Sequence, residues 1–559
     1  MCNTNLKKKI FALKILPLLL LFILFSGVRL GGDGDGDLYT QIDKNMDIFG
    51  RVYKEVALNY VDEVIPDKFM EAGIDGMLNT LDPYTNFFDS SRKDEMDLLT
   101  TGKYAGIGIT IALKDSAIVI TDVMEGYSAQ KEGLKRGDII IEIEGVSMEG
   151  KKPADVRGLV KGPAGTTLKM KVIRGEKTLE YTLTRQEIQI KNVTYKGVID
   201  EGIGYIKLER FSRYSENEVV DALNEIKSKG EVKGIILDMR DNPGGLLDAA
   251  VGILNKFVDK GSLLVTTRGR KIDSEKKFFS LEEPMVNKDV PLVLLVNGNT
   301  ASASEIVTGA IQDLDRGVIV GTKTFGKGLV QIITPLSYGD ELKITTQRYF
   351  TPSGRWIQAK NYFKENKYGV FKPDPYYNQS TFKTLDGRTV YALGGITPDT
   401  NVNGDKDNEL LNGLAARDMY YQFAEKYTEE NPDGSNFVWN DQIFSSFYSF
   451  LKEQNFDYVS KAQNELADLK KTVENKNYSD KTMTYITDLE TALDSEKFNN
   501  FDESKPEIKK ELITEIMKKY NKSDDAITKA LMTDDNQLQT ALNIIKDKQL
   551  YNSFLTPVK

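Results

Sequence analysis

The spacing of apolar residues divides the chain into stretches of different period. Ile42, Met46, Phe49, Tyr53, Val56 and Tyr60 recur at intervals of three and four, the period of an amphipathic helix. Residues 67–81 repeat the pattern with Phe69, Met70, Ile74, Met77, Leu78 and Leu81, and predict a second helix ending in the turn Leu81-Asp82-Pro83-Tyr84-Thr85. From 104 to about 187 the period shortens to two. Runs at 106–111, 117–123, 137–145, 168–174 and 179–185 are rich in β-branched residues, separated by glycine turns, and predict strands; one helix is expected among them, over 153–161.

From Val193 onward short apolar runs alternate with helical ones. Strands are predicted at 203–208, 232–238, 290–296, 317–321 and 342–349, and helices at 215–229, 246–257 and 302–313, so the fold class here is an α/β core. From about residue 406 the chain turns polar with helical apolar spacing: Ile443, Phe444, Phe447 and Phe450; Ile508, Leu512, Ile516 and Tyr520; Leu538, Leu542 and Ile545. This predicts a C-terminal helical appendage that serves packing or oligomer support, with substrate gating or adaptor binding as the other readings. The 360–390 stretch is rich in Tyr, Lys and Asn and suggests no function.

The chain has 559 residues, enough for several domains. Its net charge of −9 gives no reason to expect a nucleic-acid partner. Lys7, Lys8 and Lys9 precede an apolar run over 15–28, which fits a secretory signal better than a full membrane span; an uncleaved N-terminal anchor, with membrane association, is the alternative. Either places the rest of the chain outside the cytoplasm. Residues 31–37 (GGDGDGD) read as a flexible acidic spacer.

What the composition lacks narrows the chemistry. The chain has no histidine, and its one cysteine is Cys2. A Ser-His-Asp triad, a thiol nucleophile, disulfides and a His- or Cys-ligated zinc are therefore all excluded. No metal site and no cofactor is expected. A hydroxyl nucleophile in this chain would need lysine, a carboxylate or a metal-bound group as base.

One stretch offers that pair. The buried strand over 290–296 runs into the turn Asn297-Gly298-Asn299-Thr300, and a helix begins at Ser302, where free N–H groups and the helix dipole favour developing negative charge. Thr324-Phe325-Gly326-Lys327-Gly328 is a tight turn presenting one lysine. A lysine base must be neutral; at an ordinary value of about 10.4 it is short of that at pH 7 by about 4.6 kcal/mol, most of which burial among apolar neighbours can remove. Phe325, Leu329 and Val330 are the neighbours available in sequence. On spacing alone Ser302 is equally a helix N-cap and Lys327 a solvated turn lysine. Upstream, Asn242-Pro243-Gly244-Gly245 between a strand and a helix makes an anion nest. It lacks the G-K-[ST] of a phosphate loop.

TASASEIVTGAIQD followed by TFGKGLVQ resembles the signature of the carboxyl-terminal processing (tail-specific) serine proteases. The resemblance runs from about Phe49 to Asp399, including F-T-P-S-G-R at 350–355 and G-I-T-P-D at 395–399; Tyr84 departs from it, standing where the family commonly has histidine. It implies a ClpP/crotonase-like protease core in which Ser302 is the nucleophile, Lys327 its base and Gln331 the residue that orients the lysine. It also implies an oxyanion hole made by the Ala303 amide and one of Gly244 and Gly245, Gly245 being slightly preferred. Ser304 and Glu305 belong to the motif without an assigned role.

GIGI at 106–109, followed by GLKRGDIIIEIEG, resembles a PDZ domain. Such a module takes a peptide tail as an added strand and holds its carboxylate in a nest of N–H groups. Gly106, Ile107, Gly108 and Ile109 would form that loop, with Val156, Leu159 and Val160 lining the side-chain pocket.

The organisation expected is therefore a signal or anchor with linker (1–37), an N-terminal helical segment (38–100), an inserted PDZ domain (101–190), the protease core (191–404) and the helical domain (405–559). The function expected is an exported endopeptidase, in the bacterial periplasm or on the outer face of the inner membrane. It would capture C-terminal tails of protein or peptide substrates and cleave them with a Ser-Lys dyad. The rivals are a noncatalytic PDZ scaffold with a degenerate core and a Ser-Lys esterase or amidase; a homo-oligomer is left open.

Overall fold

The computed structural model describes residues 35–114, 116–360, 362, 380–392, 394–404, 408–476, 478–496 and 501–557. The basic and apolar leader lies outside the described residues, as does most of the 360–390 stretch. Among the described residues no helix is long and apolar enough to cross a membrane.

Two units are distinguished, Met1–Pro83 and Tyr84–Lys559. In the first, helix α1 (Asp35–Asn59) begins within the expected spacer, where Asp37 in its opening turn accepts a hydrogen bond from Gln41. Helix α2 (Pro66–Leu78) starts on a proline, whose fixed φ suits a first turn. The two meet where the Tyr53 ring stacks on Phe69 at 5.5 Å and its hydroxyl donates to the Pro66 carbonyl.

The second unit opens with a short strand, Asn86–Phe88, paired with residues 341–343, and continues through helix α3 (Lys93–Thr101) into the β-rich module. Strands β1 (Ile109–Lys114), β2 (Ala117–Val123), β3 (Ile139–Ile143), β4 (Thr167–Arg174) and β5 (Lys177–Thr184) form one antiparallel sheet in that order. Helix α4 (Pro153–Val160) packs over it. The alternation read in sequence is the pleat: Ile118, Ile120, Leu168, Met170 and Val172 point into a core of their own. Because β1 pairs only with β2, its other edge stays available beside α4.

The α/β core is a second sheet, β6 (Val193–Asp200), β7 (Ile203–Leu208), β8 (Gly234–Asp238), β10 (Leu292–Val296), β11 (Val318–Gly321) and β14 (Thr400–Asn401), in that order. It is parallel except between β6 and β7. Between its strands run α5 (Ser215–Ser228), α6 (Leu247–Leu254) and α7 (Ala303–Asp313). A further sheet joins β9 (Leu263–Gly269), β12 (Leu329–Pro335) and β13 (Glu341–Phe350); β12 pairs with β13 along its whole length.

The continuous apolar runs of the parallel strands have a simple cause: both faces are covered. On one face Ile206, Leu208, Ile235, Leu237, Leu292 and Leu294 meet α5, α6 and α7. On the other, Ile203, Tyr205, Ile236, Val293, Leu295 and Val320 meet two helices from the far end of the chain, α12 (Asn536–Lys546) and α13 (Lys548–Leu555). Leu538, Leu542, Ile545 and Tyr551 are the residues they bury. Gly234 is required at this contact, since a β-carbon there would lie 2.4 Å from Ile545. The Tyr551 hydroxyl reaches into the sheet, accepting from the Leu292 amide and donating to the Arg316 carbonyl.

The remaining helices, among them α8 (Glu409–Ala416), α9 (Met419–Glu430), α10 (Asp441–Glu453) and α11 (Lys505–Lys519), bury an aromatic cluster around Phe423, Phe447 and Phe501. They also grip the β-rich module. Arg136 lies over the Tyr421 ring at 4.6 Å and pairs with both Glu515 oxygens at 2.8 Å, while Lys114 pairs with Asp418.

Candidate active site

Ser302 has φ 57° and ψ −114°, a conformation that costs a non-glycine residue on the order of 1–3 kcal/mol. It persists because its peptide groups are tied on every side. The Ser302 carbonyl accepts from the Tyr349 hydroxyl (3.2 Å) and from the amides of Glu305 and Ile306. The Ser302 amide donates to Glu305 Oε2 at 2.8 Å. This is the sharp strand-to-helix turn anticipated between β10 and α7.

Glu305 is the centre of the arrangement. Fully buried, it accepts from the Ser302 and Lys327 amides on Oε2 (2.8 and 2.9 Å) and from the Thr324 hydroxyl and the Gly326 amide on Oε1 (2.6 and 2.7 Å). One carboxylate oxygen thus fixes the backbones of both residues expected to form the dyad. Burial pushes the Glu305 carboxyl up to about 7, while the same hydrogen bonds pull it down. Sequence reasoning left Glu305 without a role, because a glutamate three residues after a serine reads as an ordinary helix cap.

The turn carrying Lys327 is held from behind. Gly326, at φ 86°, sits so close to Ala359 that a β-carbon would approach its side chain to 2.5 Å. Phe325, expected as an apolar wall for the lysine, is instead 52% exposed. The wall is Tyr84: Lys327 Nζ lies 4.3 Å from its ring centroid, and the Tyr84 hydroxyl bonds that of Tyr362. Gln331 follows on β12 and its Nε2 donates to Thr345 Oγ1 across the strand pair at 3.0 Å.

The glycine loop faces the same space. Asn242, fully buried, accepts from the Gly244 amide at 2.9 Å and donates to the Leu208 carbonyl at 2.7 Å; its own carbonyl accepts from the Ala301 amide and the Ser304 hydroxyl, joining the two loops. Gly245 is exposed, and a β-carbon on it would lie 2.1 Å from the Phe211 carbonyl. Among the described residues neither the Gly245 amide nor the Ala303 amide donates to a protein acceptor. Those are the two N–H groups expected for an oxyanion. A cavity of about 760 Å³ brings Ser302, Lys327, Gln331, Gly244, Gly245 and Ala303 together.

The loop is anchored by an ion-pair relay that sequence reasoning also missed. The Asp238 carboxylate accepts from the Tyr205 hydroxyl (2.6 Å) and from Arg240 Nε (3.0 Å). Burial alone would raise the Asp238 carboxyl, but the adjacent guanidinium holds it below the ordinary carboxylate range.

The expected peptide-binding residues lie apart, in the β-rich module. Gly108, at φ 85°, lets the backbone pass Tyr127, against which a β-carbon would stand at 2.6 Å. Gly106 ends the short strand Lys103–Gly106 that pairs with residues 186–189. Ile107, Val156 and Val160 are buried in the module's core rather than surface-lining, while Ile109 and Leu159 are half-buried and packed against it.

Three stretches of the chain match known families. Residues 202–368 match Peptidase family S41, residues 119–174 a PDZ domain and residues 410–545 the C-terminal helical domain of probable PDZ-proteases. A carboxy-terminal-processing protease of Bartonella bacilliformis is 37% identical over 380 residues, 67% of this chain and 84% of the relative. A probable CtpA-like serine protease of Staphylococcus aureus is 33% identical over 344 residues, 61% of this chain and 66% of the relative. Among solved structures, the photosystem II D1 C-terminal processing protease is 28% identical, covering 63% of this chain and 85% of that one with a TM-score of 0.35. The PDZ domain of a carboxy-terminal protease from Vibrio cholerae, in complex with a peptide, is 30% identical over 16% of this chain and 99% of that one, with a TM-score of 0.15. The chain belongs to peptidase family S41, as a carboxy-terminal-processing serine protease with a PDZ domain.

Proposed function

We propose that hydrolysis runs through a Ser302–Lys327 dyad. The observation that carries this is the single Glu305 oxygen that, from behind, accepts from the amides of Ser302 and Lys327, two residues lining a cavity that also holds the unused Gly245 and Ala303 amides. Neutral Lys327 takes the Ser302 proton as Oγ bonds to the scissile carbonyl carbon. The charge on the carbonyl oxygen is met by the Gly245 and Ala303 N–H groups. Lys327 then gives its proton to the leaving amine as the C–N bond breaks. Water, giving a proton to the same lysine, attacks the acyl carbon, and the lysine passes that proton to Ser302 Oγ as the ester C–O bond breaks, freeing the carboxylic acid. Gln331, anchored by Thr345, supplies a neutral partner for the lysine, where a carboxylate would favour its charged form.

The PDZ domain would receive the C-terminal tail of a protein substrate along the open edge of β1, with Gly106, Ile107, Gly108 and Ile109 at the carboxylate end. The basic and apolar leader would export the chain to the periplasm or the outer face of the inner membrane. Cleavage of a tailed peptide by the purified chain tests the dyad: Ser302→Ala and Lys327→Ala should each lower kcat by about 10³ or more while the proteins stay folded. Undiminished turnover in either variant would refute it. Fractionation of cells expressing the full chain tests export, which recovery in the cytoplasm would contradict.

A further inference from the structure

The loop that carries Gly245 is anchored from a point 295 residues further along the chain. Arg240 Nη1 donates to Asp535 Oδ1 at 2.9 Å and to Gln537 Oε1 at 3.1 Å, and Nη2 donates to Asp535 Oδ2 at 2.6 Å. On its other side the same guanidinium holds Asp238. Asp535 is the N-cap of α12, accepting from the Leu538 amide at 3.0 Å. Its place is set by the burial of Leu538, Leu542 and Ile545 on the sheet, and Gln537 is pinned by donating to the Val402 carbonyl at 2.7 Å.

We propose that Asp535 is a positioning residue for peptide-bond hydrolysis. Through Arg240 it fixes the start of the 240–245 loop, so that the Gly245 amide meets the oxyanion, and the C-terminal helical layer becomes part of the catalytic apparatus. The argument is geometric. Arg240 lines the cavity of Ser302 and is followed directly by Asp241 at φ 62° and by Asn242, the residue that sets Gly244. A bidentate arginine–carboxylate pair defines orientation as well as proximity. Without Asp535 the guanidinium keeps Asp238 on its own strand end and, from the separate layer, only one bond to the neutral Gln537 in place of a bidentate charged pair. The loop then gains freedom where a small misplacement is costly.

This inference rests on the Gly245 and Ala303 amides being the oxyanion site, and the experiment separates the two. In the full chain, Asp535→Asn retains Oδ1 for the helix cap but places an amide N–H group against Arg240 Nη2; Asp535→Ala removes both functions. The readouts are kcat and KM on a tailed peptide, the melting temperature, and the inhibition constant of a peptide boronate that forms a tetrahedral adduct on Ser302.

Deleting an oxyanion donor costs about 10²–10³ in kcat, so displacing one should cost about tenfold or more. Asp535→Asn is expected to lower kcat by that factor, leave KM within about twofold, weaken the boronate in parallel, and melt near the parent. Unchanged kcat in Asp535→Asn overturns the proposal, as does a fall in kcat with boronate affinity intact. A fall in activity matched by loss of folded protein in both variants also overturns it, assigning Asp535 to stability alone. If Ser302→Ala is as active as the parent, the dyad reading fails instead, whatever the Asp535 variants do.

Discussion

Lys327 Nζ lies 4.3 Å from the centroid of the Tyr84 ring. The negative face of an aromatic ring favours a charged amine by about 0.5–2 kcal/mol, a factor of roughly 2–30 in the balance between ammonium and amine. Replacing the ring should therefore release neutral lysine. Labelling of Lys327 by an amine-directed reagent, followed by mass spectrometry across pH, should show its midpoint move down in Tyr84→Leu and stay in Tyr84→Phe. A simple gain in access would scale the rate equally at every pH; that pattern, or no change, would remove the ring from the account.

Glu305 predicts that stability and activity move in opposite directions with pH. Its carboxyl is raised from an ordinary 4.5 to about 7 in the folded chain, so between these values the folded state holds a proton that the unfolded chain has released. Its contribution to stability is fully present below about 4.5 and is lost by roughly 3 kcal/mol as pH rises to about 7. Activity should rise over the same window, because only the ionised form accepts all four of its hydrogen bonds. Glu305→Gln should abolish this part of the pH dependence in denaturant titrations. It should also lower kcat at every pH, since its amide nitrogen would confront two N–H or O–H donors.

Gly245→Ala tests the close approach of the loop to Phe211. With φ at 148° and a β-carbon 2.1 Å from the Phe211 carbonyl, the backbone has to move. The expected outcome is a loss of about 10²-fold or more in kcat with KM little changed. Near-parental kcat would show that the loop has room the structure denies it.

Arg136→Ala should loosen the β-rich module from the helices. It removes a pair at 2.8 Å to the largely buried Glu515 and the stacking on Tyr421, so hydrogen exchange should quicken around Tyr421 and Glu515. A charge-conserving Arg136→Lys keeps attraction without the planar fork and should recover only part of the protection. Unchanged exchange in both variants would mean that Lys114–Asp418 suffices.

Alternating apolar residues made the PDZ sheet legible, and continuous apolar runs made the central parallel strands legible, because pleat and two-sided burial each leave their own pattern. The core sheet's outer strands, 193–200 and 400–401, lacked such a run. Ser302, Lys327 and the Gly244-Gly245 turn were singled out by a resemblance to a family motif; on spacing alone Ser302 read as a helix N-cap and Lys327 as a solvated turn lysine. Glu305 was not legible, since its role depends on burial and on four donors arriving from two loops. Tyr84 was read as scaffold in a turn, and only the folded chain sets it against Lys327. Arg240 sat unnoticed in MRDNPGG, where the glycines drew the eye; its partner Asp535 belongs to a region whose helices sequence could outline but whose docking it could not.

The order of synthesis gives the second covering layer a further meaning. Ser302, Lys327 and the glycine loop leave the ribosome while β8, β10 and β11 still lack α12 and α13, so one face of the sheet remains wet and Tyr551 has yet to bridge Leu292 and Arg316. An emerging chain therefore holds Ser302, Lys327 and the glycine loop before that face of the sheet is covered. On the role proposed for Asp535, a newly made protease would reach full activity only after α12 has been synthesised and has docked against Arg240.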